Sequence, residues 1–393
     1  MGKKVLLYEG MRGHGECLSS YYTYFRKLGY DVDLVSTDKV INEKPLWMVK
    51  EPVNIYSITN PSSANYAIMI KHLEEIRTKV PDFFNYDIYF ISTFNKDGYQ
   101  FVRYLHDHGV TKNKILHQNH VNYKIFMGQC GRDVTLGWNG FTLGMADHDK
   151  LPQLPPSINI TGKNHPLLKE DLSNKEITLF ISGLSHIHFG NFELLVKALD
   201  QVNKEGMNIK VNVCGIREQG SYVMPVSKNV NYLGRLSFID MTEAYCKNDF
   251  LFVLFDENAV SCREEHKMFL DGRVSGSRNM SIMYKIPLVM QKPYQLAWGF
   301  DNSNSISFEG RDYKQILTNL YNMKKEKYNE VIKALQKKEK EELQLGLKNL
   351  QDRINNLSSN KYIETINPII TKVPITKKKM DFIHFKPRKG PWI

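Results

Sequence analysis

This sequence predicts an α/β protein with two doubly wound parallel domains, and three observations carry the prediction. Short apolar strands alternate with helical segments through the first 119 residues. A break over residues 147–175, with four prolines and few large apolar residues, interrupts the alternation. It then restarts at Glu176 and runs to Phe308. Runs such as VLLY and FLFVLF are apolar without alternation, as strands covered by helices on both faces are.

The elements follow in order. Lys4–Tyr8 is the first strand, and Gly13-His14-Gly15-Glu16 is the turn after it. Cys17–Leu28 is a helix, because Leu18, Tyr21, Tyr22 and Phe25 recur at helical spacing. Gly29 stops it. Asp31–Ser36 and Asn54–Ile58 are the next strands. Tyr66–Val80 is a helix closed by Pro81. Ile88–Ser92 is a strand, Tyr99–Asp107 a helix stopped by Gly109, and Lys114–His117 a strand leading into the tetrapeptide HQNH. After the break, the strands are Glu176–Ser182, Asn208–Gly215, Val230–Leu233, Phe250–Phe255, Pro287–Gln291 and Ser305–Phe308. Phe189–Val202, Phe238–Lys247 and Ser277–Tyr284 are helices between them. Residues 311–358 are helical, with Tyr313, Ile316, Leu317, Leu320 and Tyr321 on one face. Their many Lys and Glu residues read as a solvated surface laced with i,i+4 pairs.

The expected divisions are a first domain over 1–150, a linker over 151–175, a second domain over 176–322, a helical extension over 323–360 and a basic tail over 361–393. The tail carries eight Lys or Arg against two acids and four prolines, so it is expected to be extended. It accounts for +6 of the net charge of +11, which leaves the body only mildly basic. That argues against nucleic-acid binding, since no recognition module accompanies the charge. Contact of the tail with an anionic membrane surface stays open. No apolar run approaches the roughly 20 residues that span a bilayer. The five cysteines are scattered, with no C-x-x-C pair, which predicts reduced thiols in the cytoplasm and no zinc site.

The most informative stretch is Asp271–Val289, DGRVSGSRNMSIMYKIPLV. Ser275, Gly276 and Ser277 open a helix, Met280, Ile282, Met283 and Ile286 give it a buried side, and Pro287 ends it before an apolar strand. A helix opened by small residues presents free amides and a positive dipole end, which suit a diphosphate; a well-capped core helix would show the same pattern.

Four segments of the second half, in order and spacing, resemble the donor domain of nucleotide-sugar glycosyltransferases of the GT-B fold. ISGLSHIHFGNFELLVKAL resembles its first strand, turn and helix. CGIRE resembles the next strand end, and NYLGRLSFIDMTEAYCKNDFLFVLFD the segment whose Tyr-Leu-Gly backbone meets the base. SGSRNMSIMYKIPLV resembles the diphosphate- and ribose-binding helix with its following strand. The resemblance implies two Rossmann-like domains facing a cleft, acceptor bound by the first and donor by the second. It implies donor contacts at Gly183, Gly215, Arg217, Tyr232, Leu233, Gly234, Arg235, Arg273, Ser275, Gly276, Ser277 and Asn279. The chain departs from the commonest retaining pattern. Leu184 and Phe189 stand where that pattern has Arg and Lys, and Ser281 and Arg273 where it has two Glu residues. The donor base and the stereochemistry are therefore open.

Transfer from a UDP- or GDP-sugar builds negative charge on the leaving diphosphate, so something positive is needed there. Asp147-His148-Asp149 matches a metal-binding Asp-x-Asp but falls in the break, so a metal-independent reaction is expected. Arg217, Arg235, Arg273 and Arg278 are the candidate cations. On the acceptor side, Gly13 and Gly15 allow close approach, and His14 or Glu16 is a candidate base; as structural residues they would be a loop histidine and a helix cap. A full G-x-G-x-x-G is absent, because Leu18 fills its third glycine position. His117, Asn119 and His120 of HQNH fall at a strand end on the same rim. Asp256 and Glu257 end FLFVLF and are candidates for the sugar's hydroxyls or reacting face, with Asp256 a candidate catalytic acid. Glu264-Glu265 reads as a polar loop, His186 and His188 as candidate phosphate contacts, and Tyr294 with Trp298 as sugar pocket or core. The expected partners are a nucleotide sugar and a glycan or other hydroxyl acceptor, with no other cofactor. The rivals are a sugar-nucleotide epimerase and a non-catalytic glycan- or membrane-binding module.

Overall fold

The computed structural model describes residues 2–10, 15–42, 54–59, 66–94, 96–119, 140–142, 151–215, 223–256, 258, 263–270 and 275–357. Among these residues the strands form two six-stranded sheets, and every strand pair is parallel. The first sheet has the order β3-β2-β1-β4-β5-β6. Its strands are β1 (Lys3–Glu9), β2 (Tyr30–Thr37), β3 (Asn54–Ile58), β4 (Ile88–Phe94), β5 (Ile115–Asn119) and β6 (Gly140–Thr142). The second sheet has the order β12-β11-β10-β7-β8-β9. Its strands are β7 (Ile177–Ser182), β8 (Ile209–Cys214), β9 (Val230–Tyr232), β10 (Phe250–Phe252), β11 (Leu288–Gln291) and β12 (Ile306–Phe308).

Alternating residues of each strand serve opposite layers. In the first sheet Val5, Leu7, Leu34, Phe90 and Leu116 pack with α1 (Leu18–Lys27), through Leu18, Tyr21 and Phe25. Leu6, Tyr8, Val35, Tyr89 and Ile91 pack on the other face with Met69, Leu73 and Ile76 of Tyr66–Lys79 and with Phe101 and Leu105 of Lys96–Asp107. With the short Asp38–Asn42 between them, these helices are α2, α3 and α4 in chain order. Each buried Leu or Phe is worth about 1.5–3 kcal/mol of transfer free energy, so these layers hold the strand register firmly.

The second sheet is covered on one face by α5 (Phe189–Lys204) and α10 (Tyr313–Tyr321). Its other face carries α6 (Phe238–Lys247), α7 (Arg263–Leu270), α8 (Gly276–Tyr284) and α9 (Lys292–Ala297). α8 ends because Lys285 takes a left-handed φ of 61° and Pro287 follows. Glu264-Glu265 lies within α7 rather than in a loop.

Two segments join the sheets. Residues 151–175 run between them and close on a 3-10 turn at Leu172–Asn174, with Leu154 and Ile158 in the core under α1. The helix α11 (Lys325–Leu357) passes from the second sheet to the first. Val331 and Leu335 join the cluster around α8, and Leu350 joins the core around α1. The charge run is therefore not wholly solvated: Glu342 and Arg353 are buried among its residues. The tail from residue 358 lies outside the described residues.

Gly346 marks the closest approach of α11 to α1. A Cβ there would collide with the ring of Tyr24, which is fully buried and donates to Pro155 O at 2.8 Å. In an exposed helix Gly→Ala gains about 1 kcal/mol. Here the overpacking term, roughly 1–3 kcal/mol, opposes it. Gly346→Ala is therefore expected to lower stability in urea unfolding; an increase would mean the two helices part easily.

Candidate functional site

Three strand ends of the second sheet form a ledge of bare backbone. Gly183 follows β7, Gly215 follows β8 and Gly234 lies two residues after β9, with φ of 78°, 64° and 65°. That left-handed region favours glycine at all three. Gly183 N–H donates to Cys214 O at 3.0 Å, and Gly215 N–H donates to Gly234 O at 2.8 Å. A Cβ on Gly215 would lie 3.4 Å from the Gly183 nitrogen. Tyr232 and Leu233 beside the ledge are 38% and 40% exposed. Arg235 is exposed directly after Gly234.

The N-terminus of α8 comes to the same place. Ser182 ends β7, and its Oγ is 3.4 Å from Ser277 Oγ. Ser275 is the N-cap, and its Oγ accepts from Ser277 N–H at 3.2 Å. Among the described residues a Cβ on Gly276 would meet nothing within 4 Å, so there is room at the first turn of the helix. The first amides and positive dipole end of α8 therefore face the ledge at the carboxyl ends of the strands, where ligands of doubly wound sheets sit. Asn279 is buried, its Oδ1 accepting from Arg278.

Behind the serines stand two tyrosines. The rings of Tyr245 and Tyr284 stack at 5.4 Å with an interplanar angle of 8°. Tyr284 Oη is 3.0 Å from Thr242 Oγ1. Burial pushes the Tyr284 phenol up to about 12, and burial also raises Tyr245. Both stay protonated at neutral pH and can donate hydrogen bonds.

The first domain meets this wall through the turn Gly15–Cys17. A Cβ on Gly15 would lie 2.7 Å from Val40 Cγ1 and 3.0 Å from Phe238 Cζ, at the start of α6. The absence of a side chain thus lets the turn close on the second domain. Glu16 is half-buried beside it, and its charge is among the lesser causes that raise Tyr245 and Tyr284.

Other predicted residues stand elsewhere. Asp256 is fully buried; its Oδ2 accepts from Arg311 Nε at 2.6 Å and its Oδ1 from the Asn258 amide at 2.9 Å, so its carboxylate is committed to the fold. His117 and Asn119 are not on an open rim, because β5 continues through them and buries both. The His117 ring lies 4.2 Å from Phe94 and fills the space over Gly140. Arg278 points inward to Glu342 and donates to Trp298 O at 3.0 Å, so it faces away from the ledge. Burial and the charges of His266 and His186 lower the His188 pKa to about 3, so it carries no charge for a phosphate at neutral pH. His186 is exposed. Tyr294 and Trp298 are core residues with no exposure. Gly13, His14, His120, Arg217, Arg273, Glu257 and Asp147–Asp149 lie outside the described residues.

The residues that sequence reasoning missed are hydroxyls and carboxylates at strand ends. Glu9 ends β1 with no exposure, and its Oε2 accepts from Ser92 and, at 2.6 Å, from Thr93 Oγ1. An acid closing the apolar run VLLY was the available signal.

No protein-family model matches the chain, and no curated protein matches it by sequence. Solved structures do match in fold. A glycosyltransferase from Rickettsia africae superposes with a TM-score of 0.55 at 12% identity, covering 91% of this chain and 99% of that one. A putative UDP-N-acetylglucosamine 2-epimerase from Listeria monocytogenes gives 0.52 at 10% identity, covering 84% and 91%. Arabidopsis thaliana UGT89C1, solved with UDP, gives 0.51 at 12% identity, covering 90% and 99%. The fold shared with these structures is GT-B, two Rossmann-like domains facing a cleft. Among the described residues no helix is long and apolar enough to cross a membrane.

Proposed function

We propose that this chain, whose fold is GT-B, is a metal-independent glycosyltransferase that moves a sugar from a nucleoside diphosphate to a hydroxyl acceptor. The observation that carries the reading is the convergence of three positive-φ glycines with the open N-terminus of α8. Backbone alone lines the ledge, so a diphosphate can approach closely and take hydrogen bonds from amides and from Ser277. Arg235 adds positive charge beside it. Tyr232 and Leu233, exposed next to Gly234, suit a nucleoside base.

The reaction needs a base on the other side of the cleft. Glu16 takes the proton of the acceptor hydroxyl, the oxygen bonds to the anomeric carbon, and the bond to the diphosphate breaks. The electron pair leaves with the nucleoside diphosphate, whose growing charge the α8 dipole and Arg235 stabilise. His14 precedes Glu16 by two residues and is the other candidate for the base. Contact of the turn with Phe238 brings Glu16 toward the donor side and helps to exclude water, which would compete as acceptor.

A thermal-shift panel tests the donor site. UDP, GDP, CMP and dTDP, each with and without its sugar, are titrated in EDTA. One nucleotide at about 100 times its Kd is expected to add roughly 2.7 kcal/mol of stability. Ser275→Trp fills the helix mouth and is expected to abolish the shift, at a cost of about 1 kcal/mol for the lost cap. No shift with any nucleotide would sink the transferase. Turnover of the donor with no acceptor would favour an epimerase.

A further inference from the structure

One buried histidine spans the point where the strand order of the second sheet reverses. β8 and β9 lie to one side of β7, and β10 lies to the other. β7 and β10 are paired neighbours, so the crevice of this sheet opens between their carboxyl ends. Ile187 stands in the short turn His186–His188, which follows β7 and the ledge glycine Gly183. Asp256 lies beyond the end of β10 at Phe252. His266 reaches both from α7 and is 1% exposed. Its Nδ1 lies 3.2 Å from the amide nitrogen of Asp256, and its Nε2 lies 3.0 Å from Ile187 O.

These two bonds admit one form of the ring. A backbone N–H only donates and a carbonyl only accepts, so Nδ1 is bare and Nε2 carries the proton. The imidazole ties one strand end to the other as a neutral spacer of fixed length. Phe255 packs edge-on against it at 5.9 Å, and the same phenyl ring lies 5.0 Å from His188. His188 closes the turn from within, its Nδ1 accepting from Ser185 N–H at 3.2 Å. Asn191, in the first turn of α5, adds a second tie by donating to Leu254 O at 3.1 Å. Resting on the second domain's being the donor side, we infer that His266 is a positioning residue for the donor's phosphates. Being buried, it acts through Ile187. It sets the distance between the turn and the end of β10, and through the turn it aims the Gly183–Ser185 backbone at the mouth of α8.

Three variants of the full chain separate the two bonds. His266→Leu keeps the bulk and makes neither. An asparagine oxygen reaches the place of Nδ1, and a glutamine N–H reaches the place of Nε2. His266→Asn therefore keeps the bond from Asp256, and His266→Gln keeps the bond to Ile187. Hydrogen exchange without ligand reads the turn. Residues 185–189 are expected to exchange roughly tenfold faster in His266→Leu and His266→Asn, and within about twofold of wild type in His266→Gln. Calorimetric titration with UDP, GDP, CMP and dTDP reads the consequence. The nucleotide that binds wild type is expected to lose roughly tenfold in affinity in the same two variants and to recover with glutamine. Nitrogen NMR is expected to show the Nε2–H imidazole, assigned by the signal that His266→Gln removes. Equal exchange at the turn in wild type and all three variants overturns the proposal, as does equal nucleotide affinity or a proton on Nδ1. If His266→Leu does not fold, the asparagine and glutamine variants carry the comparison. Should wild type bind no nucleotide while exchange follows the expected order, the donor reading falls and the hold of His266 on the turn stands.

Discussion

Glu342→Ala is expected to lower stability by about 3–5 kcal/mol, measured by urea unfolding. The side chains of Glu342 and Arg278 are only 8% and 6% exposed, and they form an ion pair. Ser157 also donates to the Glu342 carboxylate. Alanine would leave the Arg278 guanidinium in the protein interior with, among the described residues, Trp298 O, Asn279 Oδ1 and the ring of Phe300 beside it. The cost is that of an uncompensated buried charge rather than of a lost contact. A double replacement, Arg278→Met with Glu342→Leu, removes both charges and should recover most of the loss. If the single variant costs under about 1 kcal/mol, the range of an exposed pair, water reaches this site and the interface is looser than described.

The second large effect concerns rate. Glu16→Gln keeps the shape of the turn but removes the base, and is expected to lower transfer by about 10²–10⁴-fold. The same variant should retain the thermal shift with the nucleotide, because the α8 end and the glycine ledge are untouched. Unchanged transfer in Glu16→Gln would move the base to His14, and a His14→Ala variant then carries the loss.

The legible and illegible parts of the chain divide along a physical line. The strands could be read because each is a short apolar run, and a run such as FLFVLF has one stable home, between two helical layers. Ser275–Ser277 could be read as a helix start because capping chemistry is local. Features set by distant partners could not. Asp256 looked like a free acid at a strand end, since nothing nearby in sequence shows that Arg311 lies within 2.6 Å of it. HQNH looked polar enough to leave the sheet, yet Phe94 and the bare backbone of Gly140 give His117 a buried place. The Lys- and Glu-rich helix looked solvated, since i,i+4 charge pairs are what an exposed face shows; its buried stripe is visible only beside Arg278 and Tyr24. Glu9 stayed unread because Ser92 and Thr93 reach its carboxylate only once the strands are aligned.

The passage of α11 from one sheet to the other also bears on how the protein is made. Leu350 belongs to the core formed by Val5, Leu7 and Phe90, and Leu343, Leu347 and Ile354 pack against it. Synthesis produces those residues after every strand of both sheets. A ribosome therefore releases the first domain with its α1 side unfinished, and the domain cannot complete as an autonomous unit in the usual N-to-C order. Until residues 325–357 emerge, an apolar groove beside α1 stays open to water and to chaperones. The last of the described helices is the one that seals the first core begun.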